Sequence, residues 1–458
     1  MPESGEWVGS GEFKIDREAA LAKLAQYQLA DPTLFTLAWV RAASAAGASA
    51  VRIDSTRALL RFEAHGMTFS SAELGALYDP LLDGGETPRA ASRRHFAMGL
   101  LAAQQLDPAK IVIRSGRAQV TLDRAGSGAV DPADQEPGRT SVEIHADDRT
   151  RGADLARAAG WPALECPAAP MRIHVGEIEA PRVSAEADWL ARKENGVRVW
   201  VRPALERLTG DRVAFSCLGA RVATIELDGG LAGVDGLVDD PGLRLDLSQK
   251  GLVRDGRFDA AVNVLRNAAG VLIEEIAERC LFGDALRSAS SDYDRWRSAQ
   301  SNVAPAMTYR RPPWLAPDGR LRRWIELARD AAGELLARQS TSHRSGYLLA
   351  RRIAWLRAAC RNLDSPIDDR GRPGAASLWK APIFLTQSGN GVSLERLEST
   401  RVETGSVFVE RRSPGGIYRP IANTSRACMS LKALTRLLQS DLGDNLSERY
   451  FSKPPKGT

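Results

Sequence analysis

Residues Arg61–Ser70 read RFEAHGMTFS, and this stretch decides how the first third of the chain is interpreted. It continues the alternating run RALLRFEA, which is typical of a strand that buries one face. It then turns through Gly66-Met67-Thr68 towards SAELGALYDPLL, which predicts a helix. The turn is therefore either an ordinary strand-to-helix connection or the remnant of a binding loop.

Helices and strands alternate on both sides of this turn. Upstream, DREAALAKLAQYQL and DPTLFTLAWVRAASAAGA predict two helices, the second capped by Asp31 before Pro32, and SAVRIDS predicts a strand. Downstream, a helix is predicted in GGETPRAASRRHFAMGLLAAQQL, then strands in KIVIRSG, RAQVTLDR and RTSVEIHA, with a disorder-prone AGSGAVDPADQEPG before the last. This order predicts an α/β sandwich with helices on one face of a mainly antiparallel sheet.

The pattern restarts after residue 150. Strands are predicted in PMRIHVGEIEA, GVRVWVRP, DRVAFSCLGARVATIELDG and LRLDLSQ, and a helix follows in RFDAAVNVLRNAAGVLIEEIAERCL. We interpret residues 151–290 as a second α+β domain, 291–375 as a linker and helical segment, and 376–458 as a small α/β C-terminal domain. The glycines of GGLAGVDG are interpreted as a turn between strands, because the strand-GxGxxG-helix setting of a dinucleotide site is missing.

Composition excludes several classes of protein. With 43% hydrophobic and 26% charged residues, and no long uncharged apolar stretch, we expect a cytoplasmic protein without a membrane helix. The N-terminus carries acidic residues and glycines where a signal peptide would be basic and then apolar. The five cysteines lie far apart and four histidines fall on separate segments, so we expect neither disulfides nor a metal site.

Residues 1–150 resemble the GHKL ATPase superfamily of gyrase, the ninety-kilodalton heat-shock chaperones, histidine kinases and the MutL proteins, and most closely resemble its chaperone branch. The resemblance rests on the succession of LFTLAWVRAASAAGA, LLRFEAHGMTFSSAELGAL, SRRHFAMGLLAAQQLDPAKIVIRS and GRTSVEI. It implies a Bergerat-type α/β sandwich that binds ATP in residues 1–150 and a transducer-like α+β middle domain in 151–290.

The resemblance also implies that different residues stand at the family's catalytic and ligand-binding positions in this sequence. Leu37 stands where a Glu activates water, and Arg41 stands where an Asn binds Mg²⁺. Phe62 and Ala64 replace the Asp and first Gly of the DxGxG motif that binds adenine. Leucine cannot act as a general base, and arginine repels Mg²⁺ while it can pair with phosphate. We therefore expect at most a weak ATPase, weak binding of ATP or ADP, and no Mg²⁺.

Seven residues remain as candidates for nucleotide contacts, and none is assigned a catalytic or metal-binding role. Thr140 matches a Thr of the family's late strand, Gly99 is the retained glycine of its lid, and Glu63 could replace the lost Asp only with a one-residue deletion. Lys250, in LRLDLSQKGLVRDGRF, is the candidate for the basic residue that the transducer domain sends to the γ-phosphate. The candidates are Arg41, Glu63, Gly66, Met67, Gly99, Thr140 and Lys250.

Three functional hypotheses follow. The first is a chaperone-like or conformational-switch module with weakened nucleotide binding, which acts on a protein client or complex partner and could form a homodimer. The second is a pseudo-ATPase scaffold whose pocket is filled by Phe62, Met98 and apolar neighbours. The third is nucleic-acid binding through the arginine-rich helices of residues 320–361, where Trp324 and Trp355 are interpreted instead as packing residues.

Overall fold

The computed structural model describes residues 31–280 apart from short gaps, together with Lys23, parts of 352–399 and three short strands beyond them. The gaps are 83–84, 86, 125–127, 134–135, 184–188, 205–210, 229, 231–232, 247–248 and 250. Apart from Lys23, the predicted helix Asp16–Leu29 therefore lies outside the described residues, and so does the first arginine-rich helix. The chain divides into two compact units, Met1–Ala180 with Leu245–Gly251 and Pro181–Arg244 with Leu252–Thr458.

The first unit is an eight-stranded sheet with helices packed on one face. Its helices are α1 (Phe35–Ala45), α2 (Ser71–Gly75), α3 (Pro88–Gln104) and α4 (Arg149–Glu165). Its strands are β1 (Ala50–Ser55), β2 (Leu59–His65), β3 (Lys110–Ser115), β4 (Ala118–Leu122), β5 (Val130–Pro132), β6 (Arg139–His145), β7 (Arg172–Val175) and β8 (Ile178–Glu179). The strand order is β5-β4-β3-β6-β2-β1-β7-β8, and only β1 and β7 pair in parallel. The predicted α+β class with a mainly antiparallel sheet is confirmed.

Helix starts follow the sequence signals. Asp31 caps a 3₁₀ turn at Pro32–Leu34 that leads into α1, and its Oδ1 accepts a hydrogen bond from the Thr33 backbone N at 3.1 Å. The Thr87 hydroxyl oxygen accepts from the Ala90 backbone N at the start of α3. The helix predicted after the central turn is shorter than expected: α2 ends at Gly75, and the disorder-prone segment contains strand β5.

The two faces of the sheet differ because side chains alternate along each strand. On β2, Leu60, Phe62 and Ala64 point towards the helices and are fully buried. The opposite face, here called the charged sheet face, carries ionisable side chains on five neighbouring strands. Its ionisable residues on these strands are Arg52, Asp54, Arg61, Glu63, His65, Lys110, Arg114, Arg139, Glu143, His145, Arg172 and His174.

An aromatic cluster fills the space between the helices and the sheet. The Trp39 ring on α1 lies 4.8 Å from Phe35, 5.3 Å from Phe62 and 5.8 Å from Phe96, measured between ring centroids. Its Nε1 donates to the Phe96 carbonyl oxygen at 3.2 Å. Helix α3 can approach this ring because Gly99 has no side chain: a Cβ there would lie 2.5 Å from Trp39 Cδ1.

The second unit contains a five-stranded sheet covered on one face by a long helix. Its elements are β9 (Leu190–Glu194), β10 (Val197–Pro203), β11 (Asp211–Cys217), β12 (Ala220–Leu227), β13 (Val234–Asp239), α5 (Gly256–Cys280), α6 (Ala375–Lys380), and short strands at Phe384–Leu385, Gly391–Val392, Phe408–Arg412, Tyr418–Pro420 and Arg449–Ser452. The sheet order is β12-β11-β13-β10-β9. Trp355 is fully buried in this core, and its Nε1 donates to the Gly233 carbonyl oxygen at 2.5 Å. No helix among the described residues is long and apolar enough to cross a membrane.

The central strand of this sheet was not predicted. Strand β13, VDGLVD, begins inside the glycine-rich stretch interpreted as a turn, whereas only Leu245 of LRLDLSQ takes part in a bridge among its described residues. Asp239 of β13 is fully buried, and its carboxylate accepts hydrogen bonds from Arg198 Nη2 at 2.6 Å and from the Gly219 N at 2.7 Å. These partners allow an aspartate to lie in a buried central strand. Burial raises the pKa of Asp239, although Arg198 opposes this effect.

We expect Gly99→Ala to destabilise the chain by about 1–3 kcal/mol, because the new methyl group would overlap the Trp39 ring and lie 3.0 Å from the Phe35 carbonyl oxygen. Gly160→Ala is the matched control, since this glycine also lies within a helix and no atom lies within 4 Å of the place that its methyl group would take. It should be neutral or stabilise by up to about 1 kcal/mol. Urea unfolding followed by tryptophan fluorescence measures both variants, and equal midpoints would contradict the close approach.

Candidate functional site

The candidate site is the turn after β2 together with the parts of α1, α3 and β6 that surround it. Gly66 has a φ of +96°, a conformation that favours glycine, and its N donates to the Gly138 carbonyl oxygen at 2.7 Å. A Cβ at this position would lie 3.3 Å from the Ala48 Cα. The glycine is therefore required by both the backbone conformation and the close approach of the chain before β1.

Buried hydroxyl groups hold the turn against the sheet. Thr140 on β6 is fully buried, and its Oγ1 donates to the Met67 carbonyl oxygen at 2.7 Å. The Ser115 and Thr140 hydroxyl oxygens lie 2.9 Å apart, and Ser115 Oγ accepts from the Phe69 N at 2.7 Å. The sequence candidates Gly66, Met67 and Thr140 are thus brought together, but their polar groups are occupied by one another and by their neighbours.

Three positions at which the GHKL resemblance led us to expect chemistry are apolar and buried. Leu37 is 6% exposed, and Phe62 and Ala64 are completely buried. Phe62 lies in the aromatic cluster beside Trp39, and Met98 is also buried. The side chains of Leu37, Phe62 and Ala64 offer no oxygen to a water molecule, a metal ion or an adenine amino group.

Gly99 lies within helix α3, not in a loop. The helix runs without interruption from Pro88 to Gln104, and Gly99 faces the Trp39 indole. Its proximity to the ring explains the glycine by packing alone. A glycine-rich lid is therefore absent from residues 88–104, all of which the structure describes.

Arg41 on α1 and His95 on α3 bring a charged and a polar side chain into the helix layer of the first unit. Arg41 on α1 is only 2% exposed. Burial lowers the pKa of His95 on α3 to about 3, with smaller contributions from the positive charges of Arg41 and Arg94. His95 is thus a neutral imidazole near a buried cation. The sequence pattern alone indicated an ordinary histidine. Its position one turn before Gly99 on the same helix is the signal that could have placed His95 in this layer.

Glu63 does not face this site. It neighbours Phe62 on β2, so its side chain points to the charged sheet face, where its Oε1 accepts a hydrogen bond from Arg139 Nη2 at 2.5 Å. Glu63 and Arg41 are therefore on opposite sides of the sheet. Lys250, the remaining candidate, lies outside the described residues.

Comparison with known proteins finds no family model that matches the chain and no similar sequence among curated proteins. Within the part of the chain that the structure describes, no group of three histidine, cysteine or acidic side chains could hold a metal ion. The site has to be interpreted from its own contacts.

We expect Thr140→Val to destabilise the chain by about 1–3 kcal/mol, because the substitution keeps the side-chain shape but leaves the Met67 carbonyl oxygen and Ser115 without their shared hydroxyl. Thr121→Val on β4 is the control, since Thr121 is only half-buried in the same sheet. Urea unfolding midpoints compare the two variants. A Thr140→Val midpoint no lower than that of the control would show that the hydroxyl chain does not stabilise the turn.

We also expect the stability to fall at acidic pH through His95. Its folded-state pKa is about 3, below the ordinary value of 6.5, so the unfolded chain binds more protons between these values. The stability that is present above about pH 6.5 is lost as the pH falls towards about 3. Thermal unfolding of His95→Gln should show a shallower decline below about pH 6.5 than the parent chain. The idea is wrong if His95→Gln declines as steeply as the parent chain.

Proposed function

We propose that this chain is a protein-interaction module of GHKL-like, Bergerat-type plan that does not hydrolyse ATP. The observation that carries the proposal is the aromatic cluster of Trp39, Phe62 and Phe96, which occupies the layer between helices and sheet. A ligand in this layer would have to displace fully buried rings, and each buried aromatic side chain contributes about 1.5–3 kcal/mol of burial energy.

The chemistry of the remaining groups favours the same proposal. Hydrolysis needs a positioned general base. The buried Leu37 side chain cannot act as one. Glu63, the nearest carboxylate in sequence to the lost acid, is held by Arg139 on the other face of the sheet. Binding of a protein client or complex partner needs neither a general base nor an adenine-binding carboxylate. The same holds for the formation of a homodimer.

One observation favours the second candidate, a switch that responds weakly to nucleotide. Arg41 is a buried cation on α1, and a buried guanidinium can pair with phosphate oxygens without a metal ion. Under this hypothesis ATP and ADP bind equally well with or without Mg²⁺, and no phosphate is released.

Isothermal titration of the full chain with ATP and ADP, with and without Mg²⁺, tests the proposal. We expect no saturable binding tighter than about 1 mM, which corresponds to about 4 kcal/mol. Metal-independent binding that disappears in Arg41→Gln, but persists in the half-buried control Arg93→Gln, would favour the switch. Micromolar Mg²⁺-dependent binding with steady phosphate release would overturn the interaction-module proposal.

A further inference from the structure

A group of basic side chains surrounds one carboxylate on the charged sheet face. Glu143 on β6 accepts hydrogen bonds from Arg61 Nη2 on β2 at 2.6 Å and from Arg61 Nε at 3.1 Å. Arg114 Nη1 on β3 lies 3.2 Å from its other oxygen. His145 and Lys110 are directly opposite each other on the neighbouring strands β6 and β3. We name these five residues the Glu143 cluster.

The cluster has more positive than negative charge. Two guanidinium groups contact a single carboxylate, and Lys110 adds a third positive charge near His145. Beside the cluster, Arg52 lies near both Asp54 and Glu177, and Arg139 pairs with Glu63. The excess of two charges is therefore local to strands β2, β6 and β3.

The protonation of His145 reports the same excess. Burial lowers the pKa of His145, and the positive charges of Lys110 and Arg114 lower it too, although Glu143 Oε2 lies only 3.8 Å from its Nε2. Burial alone would raise the pKa of Glu143, but hydrogen bonds from Arg61 and Arg114 outweigh this effect and lower it. Both shifts describe a positive surface around an ionised carboxylate.

The two arginines of the cluster are held in place and remain accessible. The Glu143 side chain is only 11% exposed and holds the two arginines through its contacts with them. The Arg61 and Arg114 side chains are 46% and 32% exposed. Each guanidinium has five N–H donors in a fixed plane. Glu143 accepts some of them, and Gln119 Oε1 accepts from Arg114 Nε at 2.8 Å. Prior orientation lowers the entropy cost of binding an oxyanion with the donors that remain.

We propose that the Glu143 cluster is a docking site for the carboxylates of an acidic protein segment. Adjacent strands are about 4.8 Å apart, so the cluster spans about 10 Å across β2, β6 and β3. Alternate residues of an extended peptide point the same way about 7 Å apart, so two glutamates separated by one residue fit within this span. This inference rests on the proposal that the chain is an interaction protein.

A protein segment fits better than a nucleic acid. Apart from histidines, the described strands β1, β2, β3, β6 and β7 place no aromatic side chain on this face, so bases would have no ring on which to stack. Asp54 on β1 and Glu63 on β2 lie beside the cluster and would repel a continuous phosphate backbone. A peptide can present single carboxylates to Arg114 and Lys110 on β3, the strand of the cluster that lies farther from these two acidic residues.

Fluorescence anisotropy with a labelled (Glu-Ser)₄ peptide and the full chain tests the site, with (Gln-Ser)₄ as the uncharged probe. We expect the acidic peptide alone to bind, and Lys110→Gln with Arg114→Gln to weaken binding by at least about fivefold. The matched control is Arg149→Gln with Arg157→Gln on α4, which removes the same charge from exposed positions in the helix layer and should change the affinity less than about twofold.

Arg114→Lys separates geometry from charge. It keeps the cation but loses the planar donor pair, so we expect an affinity between those of the parent and the double variant. The inference is overturned if the parent does not bind the acidic peptide, or if both double variants bind it equally. Tighter binding of an oligonucleotide that depends on Lys110 and Arg114 would replace the protein partner by a nucleic acid. These measurements contain no nucleotide triphosphate, so the outcome is distinct from that of the ATP titration.

Discussion

The packing of Trp39 on Gly99 sets the distance between helices α1 and α3, and the interior of the first unit depends on it. Because Gly99 leaves room for the indole, the ring reaches Phe62 on β2 and Phe96 on α3 at the same time. Its Nε1 is satisfied by the Phe96 carbonyl oxygen, so a large polar-edged side chain can be fully buried at low cost. The helix layer and the sheet are thus joined by one ring that contacts both.

Strand β2 contributes to two different environments with consecutive residues. Phe62 and Ala64 complete the apolar interior, whereas Arg61 and Glu63 form ion pairs with residues of β6 on the opposite face. In the turn that follows, the Met67 carbonyl oxygen is already occupied, because Thr140 donates to it. The interior side chains of β2 pack against the helices. The charged side chains that could contact another molecule lie on the charged sheet face.

The sequence predicted what depends on local pattern. The Asp31 cap, the alternation of β2 and the turn at Gly66 were all correct, although Asp31 caps a 3₁₀ turn and α1 itself begins at Phe35. Caps, period-two burial and a left-handed glycine are local effects. The aromatic cluster was predicted only as a filling by Phe62 and Met98, since the role of Trp39 depends on a distant glycine. Strand β13 was missed because buried aspartates and a glycine disfavour strands, and their partners on other strands could not be known. The outward direction of Glu63, by contrast, was already implied by the alternation of RFEA.

That alternation also limits how the chain can evolve. An acid could enter the interior by deletion of one residue in β2, but the same deletion would move Leu60 and Phe62 onto the charged sheet face and Arg61 beneath the helices. Replacement of Phe62 itself would remove one wall around Trp39 before any ligand could compensate. Both of these steps towards an acidic interior therefore pass through a less stable protein, so the apolar interior is difficult to leave.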